Sequence, residues 1–173
     1  ILEKSLNTGA VYLLEQMGGG EINEKGRKTL YEYLVDHYRF GKLTGIEQQG
    51  EQEGYIPSPD DGFGLNIQFA NMTFGQGMNV TPLQHAAAFN AVINGGTYYR
   101  PRLVDSYIDA AGKETSVGPD VVAQSVVQSS VSDTLRNMLE ATVRVNGFFT
   151  EKSGYNVGGK TGTAQIPRPE GGY

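Results

Sequence analysis

Cysteine is absent from this 173-residue chain. That excludes disulfides, thiolate nucleophiles and cysteine-based metal sites, and it suits an oxidising compartment as well as a reducing one. No run of 18 apolar residues occurs, so the sequence offers no membrane-spanning helix. The only histidines, His37 and His85, lie in no H-E-x-x-H pattern, which speaks against a metal centre. Cationic charge is scarce too: 14 Lys and Arg against 19 Asp and Glu leave a formal net charge of −5. Nucleic-acid binding needs clustered cations to neutralise phosphates, so this balance argues against it. Internal repeats, low-complexity tracts and a G-x-S-x-G nucleophile elbow are also missing.

What is present is glycine, 24 residues of it, which marks frequent turns and close backbone contacts. The length and the 38% apolar content are those of a single globular domain with a core. The chain opens on Ile1 rather than Met and stops at Tyr173. It reads as one incomplete domain, 1–173, cut from a longer protein.

In chain order, Ser5-Leu6-Asn7-Thr8 opens a helical pattern carrying Ala10, Val11, Leu13, Leu14 and Met17, ended by Gly18-Gly19-Gly20. A second helix is expected from Glu24 to Tyr38, with Lys25, Arg27 and Lys28 as a solvated face. Residues 41–64 form a long surface excursion, with Asp60-Asp61 as a turn. Thr81-Pro82-Leu83-Gln84 is a capping box with proline at the first helical position. The alanine-rich helix it starts runs to Gly95-Gly96 and is expected to be central. A hairpin is expected from Leu103–Asp109 and Lys113–Val117 around Ala111-Gly112. Ser130 or Ser132 is then expected to cap a helix with Leu135, Met138, Leu139 and Val143 on its apolar stripe.

The stretch most suited to chemistry is Gly158-Gly159-Lys160-Thr161-Gly162-Thr163-Ala164-Gln165. A fixed cation beside two hydroxyls and open backbone amides is a donor set for an anion, either carboxylate or phosphate. Gly154 to Thr161 also matches G-x-x-x-x-G-K-[ST], the phosphate-binding loop, by letter. That loop needs an apolar strand before it and a helix after it. Thr150-Glu151-Lys152-Ser153 is polar, and Gly162, Pro167 and Pro169 oppose a helix. Val157 to Ile166 therefore reads as a strand whose edge receives a ligand. Taken alone, Ser5-x-Asn7 is read more simply as a helix start, with Asn7 or Thr8 as its cap.

In combination these segments say more. Ser5-Leu6-Asn7, the block Phe74-Gly75-Gln76-Gly77-Met78-Asn79-Val80-Thr81-Pro82-Leu83-Gln84, Asn94-Gly95-Gly96 and Gly159-Lys160-Thr161-Gly162-Thr163-Ala164-Gln165 follow one another in order. Gly41-Lys42-Leu43-Thr44-Gly45-Ile46 and Gly50-Glu51 add to the pattern. Together they resemble the transpeptidase domain of class B penicillin-binding proteins, from Lys4 to Gln165. The resemblance implies an α/β (α+β) fold, an antiparallel sheet packed with helices, and no cofactor.

That family uses three motifs, S-x-x-K, S-x-N and K-[ST]-G, related to those of the serine β-lactamases. Ser5-Leu6-Asn7 matches the second and Lys160-Thr161-Gly162 the third. The first is lacking: none of the seven lysines has a serine three positions before it. The resemblance implies a peptidoglycan D,D-transpeptidase that cross-links D-alanyl-D-alanine stem peptides and is acylated by β-lactams. It implies an extracytoplasmic, membrane-anchored parent, with a membrane glycosyltransferase as a possible partner. Ser5 would relay a proton, Asn7 would bind the acyl donor, and Lys160 would supply positive potential. Thr161 and Thr163 would hold the substrate carboxylate, with Gly162 between them and the Thr163 N–H in the oxyanion hole. A non-catalytic penicillin-recognising sensor or scaffold, and a P-loop nucleotide binder, are the alternative readings.

Overall fold

The capping box at Thr81 forms as its sequence dictates. The Thr81 side chain accepts from the Gln84 N–H, and the Gln84 side chain accepts from the Thr81 N–H. In this computed structural model, which describes residues 1–147 and 154–163, it opens one of five α-helices. These are α1 (Asn7–Gly18), α2 (Glu24–Glu32), α3 (Leu65–Met72), α4 (Pro82–Ile93) and α5 (Ser129–Asn146). Four short strands pair in two antiparallel ladders: β1 (Tyr98–Tyr99) with β4 (Val121–Ala123), and β2 (Ser106–Ile108) with β3 (Glu114–Ser116). Helices with small antiparallel sheets are the mixed architecture expected from the resemblance.

The chain divides into two compact units. The first contains Ile1–Tyr31, Pro57–Met78 and the described residues from Thr134 onward. Here α1 ends where Gly19 enters the left-handed region at φ 88°, a conformation that glycine adopts without a Cβ clash. The Asn23 side chain then joins two helices. Its amide donates to Gly18 O at 2.9 Å, and its oxygen accepts from Gly26 N–H at 3.1 Å, satisfying a donor in the first turn of α2. Helices α1 and α3 pack together, and Leu14, Phe69 and Met72 are buried. The face of Lys25, Arg27 and Lys28 is not simply solvated. Arg27 donates to Pro59 O and Asn66 Oδ1, and Lys28 pairs with Asp60 at 3.1 Å. Helix α3, with Leu65, Phe69 and Met72 at helical spacing, was not expected from the sequence.

The second unit contains Glu32–Ile56 and Asn79–Asp133. The helix expected to reach Tyr38 instead widens after Glu32 into a π-helical turn, Tyr33–His37. This turn stacks the His37 ring on Tyr33 at 4.5 Å and brings its Nδ1 within 3.2 Å of Val126 O. Ala91, Tyr98 and Val126 form a buried cluster, with Ala87, Val122 and Ala123 packed against it. That bears out the central place of the alanine-rich helix within this unit. The β2–β3 hairpin forms as expected, with the Asp109 carboxylate accepting from the Ala111 and Lys113 amides. Ser132, by contrast, caps nothing: α5 starts at Ser129, and the buried Ser132 hydroxyl accepts from Gly95 N–H at 3.0 Å.

Residues 41–56 of the long excursion lack regular structure yet are firmly tied. The fully buried Gln84 amide donates to Lys42 O and to Glu53 O, both at 2.7 Å, so every hydrogen of that amide is used. The Glu51 carboxylate accepts from the Thr44 amide and hydroxyl and from the Gly45 amide. Partial burial pushes that carboxyl up, but the three donors outweigh it and hold the group below its usual range.

Two outcomes follow from these ties. Gln84→Ala orphans the Lys42 and Glu53 carbonyls and the Thr81 amide, and should destabilise the protein by about 3 kcal/mol in a denaturant titration. Glu51 has a depressed folded pKa, so its contribution is present above the unfolded carboxylate range, about 4.3, and is lost as pH falls through the lower folded value. Amide-exchange protection at Thr44 and Gly45 should therefore be steady from pH 7 to 5 and collapse below that range. Glu51→Gln should reduce protection at pH 7, and its deficit should shrink in acid.

Candidate functional site

Ser5 sits in a tight turn just before α1. The Ser5 N–H donates to Leu2 O, and Leu6 N–H donates to Ile1 O, both at 3.2 Å. The turn places Ser5 at φ +50°, in the left-handed region. For a residue with a Cβ that conformation costs about 1–2 kcal/mol, so the surrounding turn must impose it. Asn7 is the first residue of α1, and the cap position is Leu6, with no side-chain cap bond. The simple reading of Asn7 or Thr8 as a cap is thereby corrected. Ser5, Asn7 and Thr8 are all exposed.

Residues 154–163 approach the same turn from the far end of the chain. They form no helix, and over 157–163 no strand ladder with any described residue, contrary to the expected strand. The remainder of that expected strand, 164–166, and the Ala164-Gln165 of the motif lie outside the described residues. The stretch lies against α5 instead, and Gly159 N–H donates to Leu139 O at 3.3 Å. The helix-side partners are Leu139 and Val143, both buried. A side chain at the contact would force its neighbours to give by a few tenths of an ångström. A Cβ at Gly158 would stand 3.0 Å from Leu139 Cβ and 3.3 Å from Glu140 N. The P-loop reading fails on the same geometry, because residues 161–163 are not helical.

The structure brings two of the sequence-derived candidates into direct contact. Lys160 Nζ donates to Ser5 Oγ at 2.7 Å. The same ammonium donates to Thr161 O at 2.8 Å and lies 3.3 Å from Thr161 Oγ1. Its three hydrogens thus meet three oxygens. Because the oxygens of Ser5 and Thr161 accept from the cation, their own hydroxyl protons are free to be donated elsewhere. Asn7, Gly162 and Thr163 are exposed, and none is drawn into the Lys160 contacts.

What the sequence did not reveal is the platform. The motif residues are tied to α5 through Leu139 O, and the Ser5 turn is tied to it through Asn146, whose Nδ2 donates to Glu3 O at 3.2 Å. The apolar stripe of α5 was legible at Leu139 and Val143, but not what it would receive. Gly158→Ala is expected to lift residues 158–160 from α5. Faster amide exchange at Gly159, with α5 itself still protected, is the measurement that checks it.

Comparison with known proteins gives this geometry its family. A family model described as the penicillin binding protein transpeptidase domain matches residues 1–173. Stage V sporulation protein D of Bacillus subtilis is 37% identical over 167 residues, 95% of this chain and 24% of that protein. The peptidoglycan D,D-transpeptidase FtsI of Escherichia coli K12 is 32% identical over 178 residues, 100% of this chain and 26% of that protein. Among solved structures, penicillin-binding protein 3 of Mycobacterium tuberculosis in complex with ampicillin superposes with a TM-score of 0.73. It is 28% identical, and the match covers 98% of this chain and 36% of that one. The chain thus spans about a quarter of the length of these curated relatives. Its S-x-N and K-[ST]-G residues meet within a match that runs along the whole sequence, and the chain belongs to the penicillin-binding protein transpeptidase domain family, its curated relatives being of class B.

Proposed function

We propose that this chain is the part of a serine D,D-transpeptidase that carries its S-x-N and K-[ST]-G motifs, as one incomplete catalytic domain. The 2.7 Å hydrogen bond from Lys160 to Ser5 carries the reading. It joins the two motifs that the sequence separates by 155 positions.

The reaction is acyl transfer through a covalent intermediate. A serine hydroxyl attacks the carbonyl carbon of the D-alanyl-D-alanine peptide bond. The tetrahedral oxyanion collapses, the C–N bond breaks, and the departing D-alanine nitrogen takes up a proton. An amine from a second stem peptide then attacks the acyl-serine ester and regenerates the serine. The nucleophile belongs to an S-x-x-K motif, which these 173 residues do not contain; in this reading the longer protein supplies it.

Each candidate residue has a task that its position supports. Ser5, accepting from the Lys160 ammonium, donates its own proton toward the leaving nitrogen. Asn7, exposed at the start of α1, offers a carboxamide to the backbone of the acyl donor. Lys160 concentrates positive potential where the substrate carboxylate arrives. Thr161, whose oxygen faces Lys160, directs its hydroxyl proton to that carboxylate, joined by the Thr163 hydroxyl across Gly162. The Thr163 N–H serves as one donor of the oxyanion hole, where a single donor contributes about 3–4 kcal/mol to the barrier. β-Lactams acylate the same serine. The site works on the outer face of the cytoplasmic membrane, where peptidoglycan is assembled, with the anchor and any glycosyltransferase partner belonging to the longer protein. No described helix of this chain is long and apolar enough to cross a membrane.

Fluorescent penicillin labelling of the full-length protein tests this. The full-length protein should form a covalent adduct on a serine outside residues 1–173, and Lys160→Ala should slow acylation on the order of a hundredfold. Failure of the wild type to label would favour the sensor or scaffold reading. An adduct on a serine within 1–173 would overturn the assignment of the nucleophile.

A further inference from the structure

The Lys160–Ser5 contact joins two segments that have no covalent reason to be near each other. Each must therefore be located by something else, and within the first unit both are registered on α5. Leu139, Thr142, Val143 and Asn146 follow at i, i+3, i+4 and i+7, so they form one stripe about 10 Å long. Leu139, Thr142 and Val143 are buried. At one end of the stripe Leu139 O accepts from Gly159 N–H, and the Gly158 and Gly159 backbone lies over Leu139, Glu140 and Val143. That sets where the next residue, Lys160, begins. At the other end Asn146 Nδ2 donates both to Thr142 O at 2.7 Å and to Glu3 O at 3.2 Å.

Glu3 lies inside the turn that holds Ser5. The turn is closed by Leu6 N–H to Ile1 O and Ser5 N–H to Leu2 O, and it forces Ser5 to φ +50°. A strained turn on an exposed surface relaxes unless an outside contact over-determines it. The bond from Asn146 reaches it from 143 positions away. Because the same Asn146 nitrogen is fixed to the Thr142 carbonyl of its own helix, its position is that of α5 and not that of a free side chain.

We propose that Asn146 is a positioning residue for the active site: by holding the Glu3 carbonyl on α5, it sets the Ser5 hydroxyl within reach of Lys160. Asn146 touches neither Ser5 nor Lys160 and has no chemical step of its own. The proposal rests on the transpeptidase reading for its kinetic consequence, but its geometric consequence is independent of that reading.

The experiment uses the full-length protein and the variants Asn146→Ala, Asn146→Asp and Asn146→Gln. Asn146→Ala removes the donor, and Asn146→Asp puts an acceptor against two carbonyls at nearly constant volume. Asn146→Gln keeps the carboxamide. The rate constant of acylation by fluorescent penicillin, measured on the reactive fraction, should fall about fivefold in the alanine variant, the effect expected of one lost neutral hydrogen bond. It should fall at least as far in the aspartate variant and recover at least half of the wild-type value in the glutamine variant. A merely structural role would lower the reactive fraction and the thermal midpoint while leaving that rate constant unchanged. That result would overturn the proposal, as would a glutamine variant as slow as the alanine one.

Crystal structures of the wild type and Asn146→Ala supply a readout that needs no activity. The Lys160 Nζ to Ser5 Oγ separation should lengthen beyond hydrogen-bond reach in the variant. An unchanged separation would overturn the proposal. If the wild type does not label at all but the separation lengthens, the positioning role stands and the transpeptidase reading falls.

Discussion

A hydrogen bond across 155 positions, from Lys160 to Ser5, is the constraint that gives the first unit its functional sense. Local structure cannot produce it. The Ser5 turn is built from its own backbone bonds, and residues 154–163 form neither helix nor ladder among the described residues. Both are exposed, and exposed ion and hydroxyl contacts in water stabilise little by themselves. Its two ends are seated on one stripe of α5: the Gly159 end lies over the buried Leu139 and Val143, and the Ser5 end is held by the exposed Asn146 hydrogen bond to Glu3 O. A rigid helix under a pair of irregular segments is a suitable support for a site, since catalytic geometry depends on what locks the side chains from behind.

The second unit solves a related problem with a different device. Residues 41–56 have little apolar content and no regular structure to hold them, so their backbone groups need partners that are not each other. One buried glutamine supplies two of those bonds, and the Glu51 carboxylate gathers three donors from Thr44 and Gly45. Arg100 extends the arrangement, pairing with Asp120 at 2.7 Å and reaching Thr44 O at 3.4 Å. A Gly-rich stretch that reads as a long surface excursion is thus held by polar ties. The cost of losing one tie is high because Gln84 and Thr44 are buried, where an orphaned polar group finds no water.

Much of the local structure was legible beforehand. The capping box at Thr81, the glycine stop of α1, the β2–β3 hairpin and the alanine-rich α4 each depend on residues within four or five positions of one another, and each forms. The departures share a cause. Helix α3 is only eight residues long, and β1 and β4 have two and three residues. Elements so short are selected by tertiary partners, not by propensity. The same holds for Ser132, drawn from capping into a buried bond with Gly95, and for the helix after Glu32, widened where His37 meets Tyr33 and Val126.

By itself the sequence determined the family, because four motif blocks in fixed order survive any uncertainty about folding. It also determined which residue types could carry chemistry at Ser5, Asn7, Lys160, Thr161 and Thr163. It left Asn7 ambiguous between a cap and a site residue, and although Gly154 to Thr161 matches a phosphate loop by letter, the flanking residues already favoured a strand edge. Only the tertiary structure removed the capping reading, by placing Asn7 inside the helix without a capping bond; it left 157–163 without a strand ladder among the described residues and set Lys160 against Ser5. It also showed that α5, an ordinary amphipathic helix by pattern, receives both the Gly159 backbone and, through Asn146, the turn that holds Ser5. The physical reason is that periodicity reports which face of a helix is buried, whereas what that face receives depends on chain segments far away in sequence.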